Sequence, residues 1–476
     1  MPARRAATAL ACFLLLLATR LCHVGIIWVE EAYPAAGAIQ MLAGKTIYRD
    51  FWFDKPPLSP LLYLLWGGYP GWPLRVAGAI LLTIACMLLY VFAERLWSQR
   101  EAATAALLLA FFFTFDFPAS TLAVAPDLLM TLPHIAAVFL AWRGRAFWSG
   151  VLCGVALQTN PKAVFVVAAC LLWTWRRWPM LLLGFAVSNV AVLGWLAAAG
   201  ALPQYMNQVW IWGFTYARDT YLEHPFLTGI EKTGSWAFFH LALVIGAGLY
   251  FYRRETQWMR MALWIALTLI GVAAGWRFFE RYYFLLLIPM TLLAGRAFVV
   301  STRAWKTALA LALLIPFVRF APRYAMVALD ALQYRHGVWN VIWMNEDSAE
   351  AACIVETFAR PGDTLLVWGY RPDIYVYTRV PAATPWLDSQ PLTGVIADRH
   401  LTDSRPTFPE LAARNRAELV KTTPTFIVDG LTSFSKPLEI TNYPDLQNWL
   451  ASYHKIGQSR GTVIYDRNEP RRENAR

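Results

Sequence analysis

Trp28-Val29-Glu30-Glu31-Ala32-Tyr33, then Ala43-Gly44-Lys45, Tyr48-Arg49-Asp50 and Lys55-Pro56-Pro57-Leu58, lie between two apolar runs at about 7–27 and 74–94. Each run has about the 20 apolar residues that a helix needs to cross a bilayer. The polar stretch between them therefore reads as the first loop of a membrane protein. Residues 31–44 put Ala35, Ala38, Ile39 and Leu42 on one helical face, which predicts a short helix along the membrane surface. Adjacent Glu30 and Glu31 at its start complement the helix dipole, a purely structural use for both. Pro56-Pro57 turns the chain back toward the membrane.

Outward from this loop the pattern repeats. Further apolar segments fall at about 102–115, 127–142, 147–159, 163–175, 180–200, 237–252, 261–275, 283–298 and 305–320, separated by short basic clusters such as Arg95/Arg100, Arg143/Arg145 and Arg176/Arg177. Basic loops mark the cytoplasmic face. On that rule the chain crosses eleven times, with a cytoplasmic N-terminus and an extracytoplasmic C-terminal domain. Arg145 to Arg176 is too long for one span and short for two, so two shortened helices are expected to meet at Asn160-Pro161. Arg4/Arg5 and the apolar run to Ala18 also fit a cleavable signal peptide. Arg20, Cys22 and His23 follow in place of a small-x-small site, which favours an uncleaved first span.

Composition agrees. Of 476 residues 58% are hydrophobic and 15% charged, against about 25% charged in soluble domains. Residues 1–324 hold 39 charged side chains and the 152 residues from 325 onward hold 34, so the second part is nearly twice as dense in charge. The expected organisation is a polytopic α-helical membrane domain, 1–324, with a first outer loop at 28–73, followed by a soluble α/β domain, 325–476. In that domain Ala349–Phe358, Glu410–Val420 and Tyr443–Tyr453 read as helices. Thr364–Trp368, Thr425–Val428 and Thr462–Tyr465 read as strands, and Arg467–Arg476 as a polar tail. A net charge of +11 would suit a nucleic-acid binder, but the basic excess lies between apolar segments, so no nucleic-acid partner is expected. Of the six cysteines only Cys353 lies beyond the spans, and no Cys/His spacing suits zinc.

Ten of the 13 acids before residue 325 fall on the outer side of this topology, among them Glu30, Glu31, Asp116, Asp127 and Asp219. Charged groups at membrane boundaries are costly unless they face water or a partner, so an outward polar cavity is expected.

The paired acids with Tyr33, the stretch Gly44 to Asp50, and Lys55-Pro56-Pro57-Leu58 together resemble the GT-C membrane glycosyltransferases. The nearest branch holds protein O-mannosyltransferases and the lipid A aminoarabinose transferase. Leu74-Arg75, Ala125-Pro126-Asp127-Leu128-Leu129, Thr159-Asn160-Pro161-Lys162 and Arg281-Tyr282-Tyr283 continue the likeness in order. Pro361-Gly362-Asp363, Val367-Trp368-Gly369 and Pro372-Asp373-Ile374-Tyr375 carry it into the last domain. The family usually has Asp-Glu where this chain has Glu30-Glu31, which lengthens the first carboxylate by one methylene.

The resemblance implies an inverting sugar transfer from a polyprenyl-phosphate donor to a lipid, glycan or protein acceptor at the outer face of the cytoplasmic membrane. A phosphate leaving group departs as an anion, so the site needs one general base and positive charge rather than two catalytic carboxyls. Glu30 stands at the position of the family's catalytic Asp and is expected to be the base. Glu31 is expected to position the acceptor or a metal, and Asp127 to orient the acceptor or the sugar unless it merely caps its helix. Asp116 is a weaker candidate for that role. Lys55, Lys162, Arg277, Arg281 and Tyr282 are the candidates for donor binding. Arg277 and Arg281, spaced i, i+4, would share a helical face and clamp a phosphate. A divalent metal is left open, and no other cofactor is expected. Two other classes remain. A transporter would show internal repeats and midplane charges, which are not evident. A polymer ligase or non-catalytic scaffold is opposed chiefly by the Lys55-Pro56-Pro57 and acidic motifs.

Overall fold

The computed structural model describes residues 2–218, 220, 222–332, 340–396 and 399–468. Each of the eleven apolar segments is occupied by helix. Among the described residues the helical stretches Trp72–Leu96, Pro161–Ala198, Glu280–Val300 and Arg303–Asp330 are long and apolar enough to cross a bilayer. The helix Pro225–Phe239 meets Leu241–Tyr252 at 88°. Pro126–Trp142, Ala146–Leu157 and Trp258–Ala273 are shorter. The chain is a polytopic helical membrane protein with a small C-terminal sheet domain.

The break expected near Pro161 is present. Ala146–Leu157 ends, and Val164–Thr174 begins after a 3-10 turn at Pro161–Ala163. Pro161 has no N–H to give, and the Asn160 side chain caps the turn by accepting Lys162 N at 2.9 Å. Both outer ends of this pair face one side, since Arg177 Nη1 donates to the Gly144 carbonyl at 3.0 Å. Helix Trp178–Ala198 then runs parallel to Ala146–Leu157 in close contact. A Cβ at Gly150 would stand 1.9 Å from the Leu181 carbonyl oxygen, and one at Gly184 1.9 Å from that of Phe147.

The first-loop helix forms over Val29–Leu42, but not as a surface helix. Ala35, Ala38 and Ile39 are buried as expected, yet Ala32, Ala36 and Gln40 on other faces are buried too, and Leu42 is exposed. Two layers sandwich it. The helix packs on Leu58–Tyr63 of its own loop and on Asp373–Thr378 of the C-terminal domain.

In that domain β1 (Leu365–Trp368), β2 (Phe426–Asp429), β3 (Tyr453–Gln458) and β4 (Val463–Arg467) form one sheet, ordered β1-β2-β4-β3. β1 and β2 are parallel, and β4 is antiparallel to both β2 and β3. Three strands match the sequence expectation and β3 does not. Only short helical turns at Pro444–Leu446 and Gln447–Leu450 precede it, and Tyr453 begins a strand instead of ending a helix. Arg467 ends β4 rather than opening a tail, while 469–476 and Asp219 lie outside the described residues.

One hydrophobic core joins the first loop to this domain, running from Ile27, Tyr33 and Phe53 to Val355, Val367 and Tyr375. Hydrogen bonds fix the register between them. Ala382 N donates to Gln40 Oε1 at 2.9 Å, Ile27 N to Asn345 Oδ1 at 2.9 Å, and Trp52 N to the Pro385 carbonyl at 2.7 Å. The first loop therefore has a rigid roof.

Candidate active site

Beneath that roof lies a cavity of about 340 Å³. It forms where the first loop, the turn Pro126–Leu129, the break at 159–162 and the segment 274–282 converge. Glu30, Lys55, Asp127, Lys162, Arg277, Arg281 and Tyr282 all line it. These residues span some 250 positions of sequence, and the fold brings them to one space.

Arg281 is the centre of the arrangement. Its Nη1 donates to Glu30 Oε1 at 2.8 Å, and its Nε lies 3.6 Å from Asp127 Oδ2. Asp127 does not cap its helix; its Oδ1 accepts Asn160 Nδ2 at 2.9 Å. Asn160 thus caps one turn with its oxygen and holds a carboxylate with its nitrogen. Lys162, on the same turn, sends Nζ 3.1 Å to the Gly271 carbonyl and sits 3.0 Å from the centre of the Tyr282 ring. Arg277 donates to the Tyr216 carbonyl at 3.1 Å and lies 3.6 Å over that tyrosine's ring. Lys55 Nζ pairs with Asp54 Oδ2 at 3.0 Å. Four basic and three acidic side chains therefore line the space.

Two expectations need correction. Arg277 and Arg281 do not share a helical face. Gly275, Trp276 and Phe278 have left-handed φ values of 85°, 55° and 50°, which break the helix after Ala273, and Arg281 stands on the 3-10 turn Glu280–Tyr283. The irregular backbone still delivers both to the cavity, as expected of non-helical segments that line polar space. Glu31 is not at the cavity. Its side chain is fully buried against Arg75, with Val124 N donating to Oε2 at 3.0 Å and Trp28 N to Oε1 at 3.1 Å. Consecutive helical residues point about 100° apart, so one acid of the pair faces the cavity and the other anchors the helix. Asp116 lies in a different place, 3.4 Å from His240 Nε2.

Sequence reasoning missed several lining residues. Asp54, beside Lys55 in a quoted motif, was within reach of it. Tyr33 stacks on Phe53 with ring centres 4.7 Å apart, and Tyr216 covers Arg277. Tyr370 comes from just beyond β1, so the parallel strand end aims into the membrane domain's cavity. Behind it Asp388 is buried; loss of water pushes its carboxyl up to about 7, with the nearby Asp54 carboxylate adding to the shift.

The donor set does not assemble a metal site. Among the described residues no three His, Cys, Asp or Glu side chains are grouped to hold an ion, and the two carboxylates that approach each other are spanned by Arg281.

Residues 54–210, about a third of the chain, match the family profile described as dolichyl-phosphate-mannose-protein mannosyltransferase. ArnT from Cupriavidus metallidurans in the apo state is similar in structure, with a TM-score of 0.60 at 16% identity over 97% of each chain. The same protein bound to undecaprenyl phosphate gives 0.57 at 16% identity, again over 97% of each chain. The oligosaccharyltransferase of Archaeoglobus fulgidus in the apo form gives 0.51 at 13% identity, over 95% of this chain and 73% of that one. No curated protein matches in sequence. The chain thus has the GT-C fold that its ordered motifs suggest, in a membrane setting.

Proposed function

We propose that this GT-C-fold chain is an inverting glycosyltransferase that moves a sugar from a polyprenyl-phosphate donor to an acceptor hydroxyl or phosphate. The reading places the reaction at the outer face of the cytoplasmic membrane, with the N-terminus inside and residues 325–476 outside. One observation carries it: Glu30 and four basic side chains from three distant segments line one cavity at the foot of the C-terminal domain. The likeness to a structure that holds undecaprenyl phosphate supports the donor class.

The chemistry follows from the residues. Glu30 takes the proton of the attacking acceptor as the acceptor oxygen displaces the phosphate at the anomeric carbon. A single displacement inverts that centre. The donor phosphodiester carries one negative charge and meets four basic side chains in the cavity. The released monophosphate gains a second charge as Glu30 becomes neutral, so the electrostatic balance holds through the step. Lys55, Lys162 and Arg277 receive the phosphate. Arg281 holds Glu30 and Asp127 in register and adds its own positive charge beside the phosphate. Tyr33, Tyr282 and Tyr370 supply ring faces for a sugar.

Transfer should be measured in membranes with polyprenyl-phosphate sugars as donors. Glu30→Gln is expected to cut turnover by about 10²–10⁴-fold, and near-wild-type turnover would overturn the assignment. Arg281→Ala is expected to weaken the lipid donor's apparent affinity; an unchanged value would remove Arg281 from the donor site.

A further inference from the structure

The helix Pro225–Phe239 divides into three sectors. One is exposed and apolar: Phe226, Leu227, Ile230 and Phe238 are each more than half exposed. The next is polar, carrying Glu231, Lys232 and Ser235. The third is packed. A Cβ at Gly229 would meet the Phe278 ring at 2.5 Å, Thr233 Oγ1 lies 2.8 Å from the Tyr283 hydroxyl, and Trp236 stacks on Tyr283 with ring centres 5.3 Å apart. Lys232 adds an ion pair to Glu280 at 3.7 Å. Phe278, Glu280 and Tyr283 bracket Arg281 and Tyr282, the two residues of 278–283 that line the cavity.

The helix also lies at 88° to Leu241–Tyr252, an apolar helix that follows it directly. Leu241–Tyr252 packs against Phe284–Val300, part of a stretch long enough to cross a bilayer, and a Cβ at Gly246 would stand 2.8 Å from Ala294 Cα. A helix perpendicular to such a packed pair lies near the membrane plane, and an apolar sector beside a polar one is the pattern of a helix in the interface. We propose that Pro225–Phe239 rests its apolar sector on the lipid surface and braces the Arg281 segment with its packed sector. The partner is the boundary between lipid headgroups and acyl chains. Contact with lipid then holds Arg281 and Tyr282 in place for the donor, the second half of the proposal resting on the glycosyltransferase reading.

The test uses the full chain in phosphatidylcholine–phosphatidylglycerol vesicles, with Cys22 and Cys353 replaced by Ser and a fluorophore on one introduced cysteine. Labels at Leu227→Cys and Ile230→Cys should be quenched by lipid spin-labelled near the headgroup, and labels at Lys232→Cys and Ser235→Cys should not. Equal quenching at all four would put the helix inside the bilayer, and no quenching would put it in water or under protein; either overturns the lipid contact. For the brace, Ile230→Glu is compared with wild type for binding of undecaprenyl phosphate, expected to weaken by between about tenfold and a hundredfold in vesicles. Unchanged binding, with the quenching pattern intact, overturns the brace. Wild type that binds no undecaprenyl phosphate defeats the donor reading and with it the brace, while the quenching result stands alone.

Discussion

Glu31→Gln separates architecture from chemistry one residue away from the proposed base. The Glu31 carboxylate is fully buried, bonded to both terminal nitrogens of Arg75 and to two backbone N–H groups. Arg75 also reaches the carbonyls of Leu122 at 3.0 Å and Ile26 at 2.6 Å, and Arg20 reaches the same Leu122 carbonyl at 2.8 Å. One carboxylate thus faces two buried guanidiniums. Gln keeps the shape, removes the charge, and turns an NH2 toward partners that are all donors. Removing one member of a buried ion pair costs about 3–5 kcal/mol, a large share of the roughly 5–15 kcal/mol that holds a typical fold. Thermal unfolding of the purified protein, followed by tryptophan fluorescence, should shift well below wild type. Glu30→Gln, whose side chain is partly exposed, should unfold like wild type and lose transfer. Adding Arg75→Met to Glu31→Gln should recover part of the stability, because it removes the unpaired charge. If Glu31→Gln melts with wild type and loses transfer as fully as Glu30→Gln, Glu31 takes part in the reaction and the anchoring argument fails.

Gly150→Leu should abolish recovery of folded protein, since overpacking ordinarily costs about 1–3 kcal/mol and here the side chain would enter the backbone of Trp178–Ala198; size-exclusion chromatography after extraction checks it. Asp388→Asn should flatten the pH dependence of stability. Burial keeps that carboxyl protonated up to about 7, while an unfolded Asp ionises near pH 4. The native state therefore binds the extra proton between those values and stability falls as pH rises through them. Unfolding of the variant should lose part of that slope and be less easily provoked above pH 7; an unchanged slope refutes the shift. Asn160→Ala should slow transfer by about tenfold or more by releasing Asp127, with donor affinity less affected, and a pure affinity loss would refute the orienting role.

Much of the fold was legible because a bilayer demands long apolar helices. The shortened pair around Pro161 was legible too, from length and a missing N–H. Strand β3 was not, because Tyr453–Gln458 is mostly exposed and bulged between Lys455 and Gly457, so no alternation marks it. At the site, Glu30, Asp127, Lys55 and Lys162 were carried by motifs whose order survives in the chain. Glu31 was misplaced because adjacent acids in a helix look alike in sequence while facing different neighbours. Arg277 and Arg281 reach the cavity through left-handed backbone that i, i+4 spacing does not describe. Tyr370 enters the site, with Asp388 behind it, only because the C-terminal domain folds over it, which no local pattern records.

That roof has a consequence for how the protein is made. Gln40 waits for Ala382, and Ile27 for Asn345, across more than 300 residues of chain. A ribosome finishes every apolar helix before it supplies the strand that brings Tyr370. Until then the first loop has lost neither its water nor its freedom, and the cavity lacks the Tyr370 ring. Contacts this distant in sequence form late. A chain truncated before that strand would therefore have its apolar helices complete and its first loop uncovered, so the cover over Glu30 and Tyr33 arrives with the last third of the polypeptide to emerge.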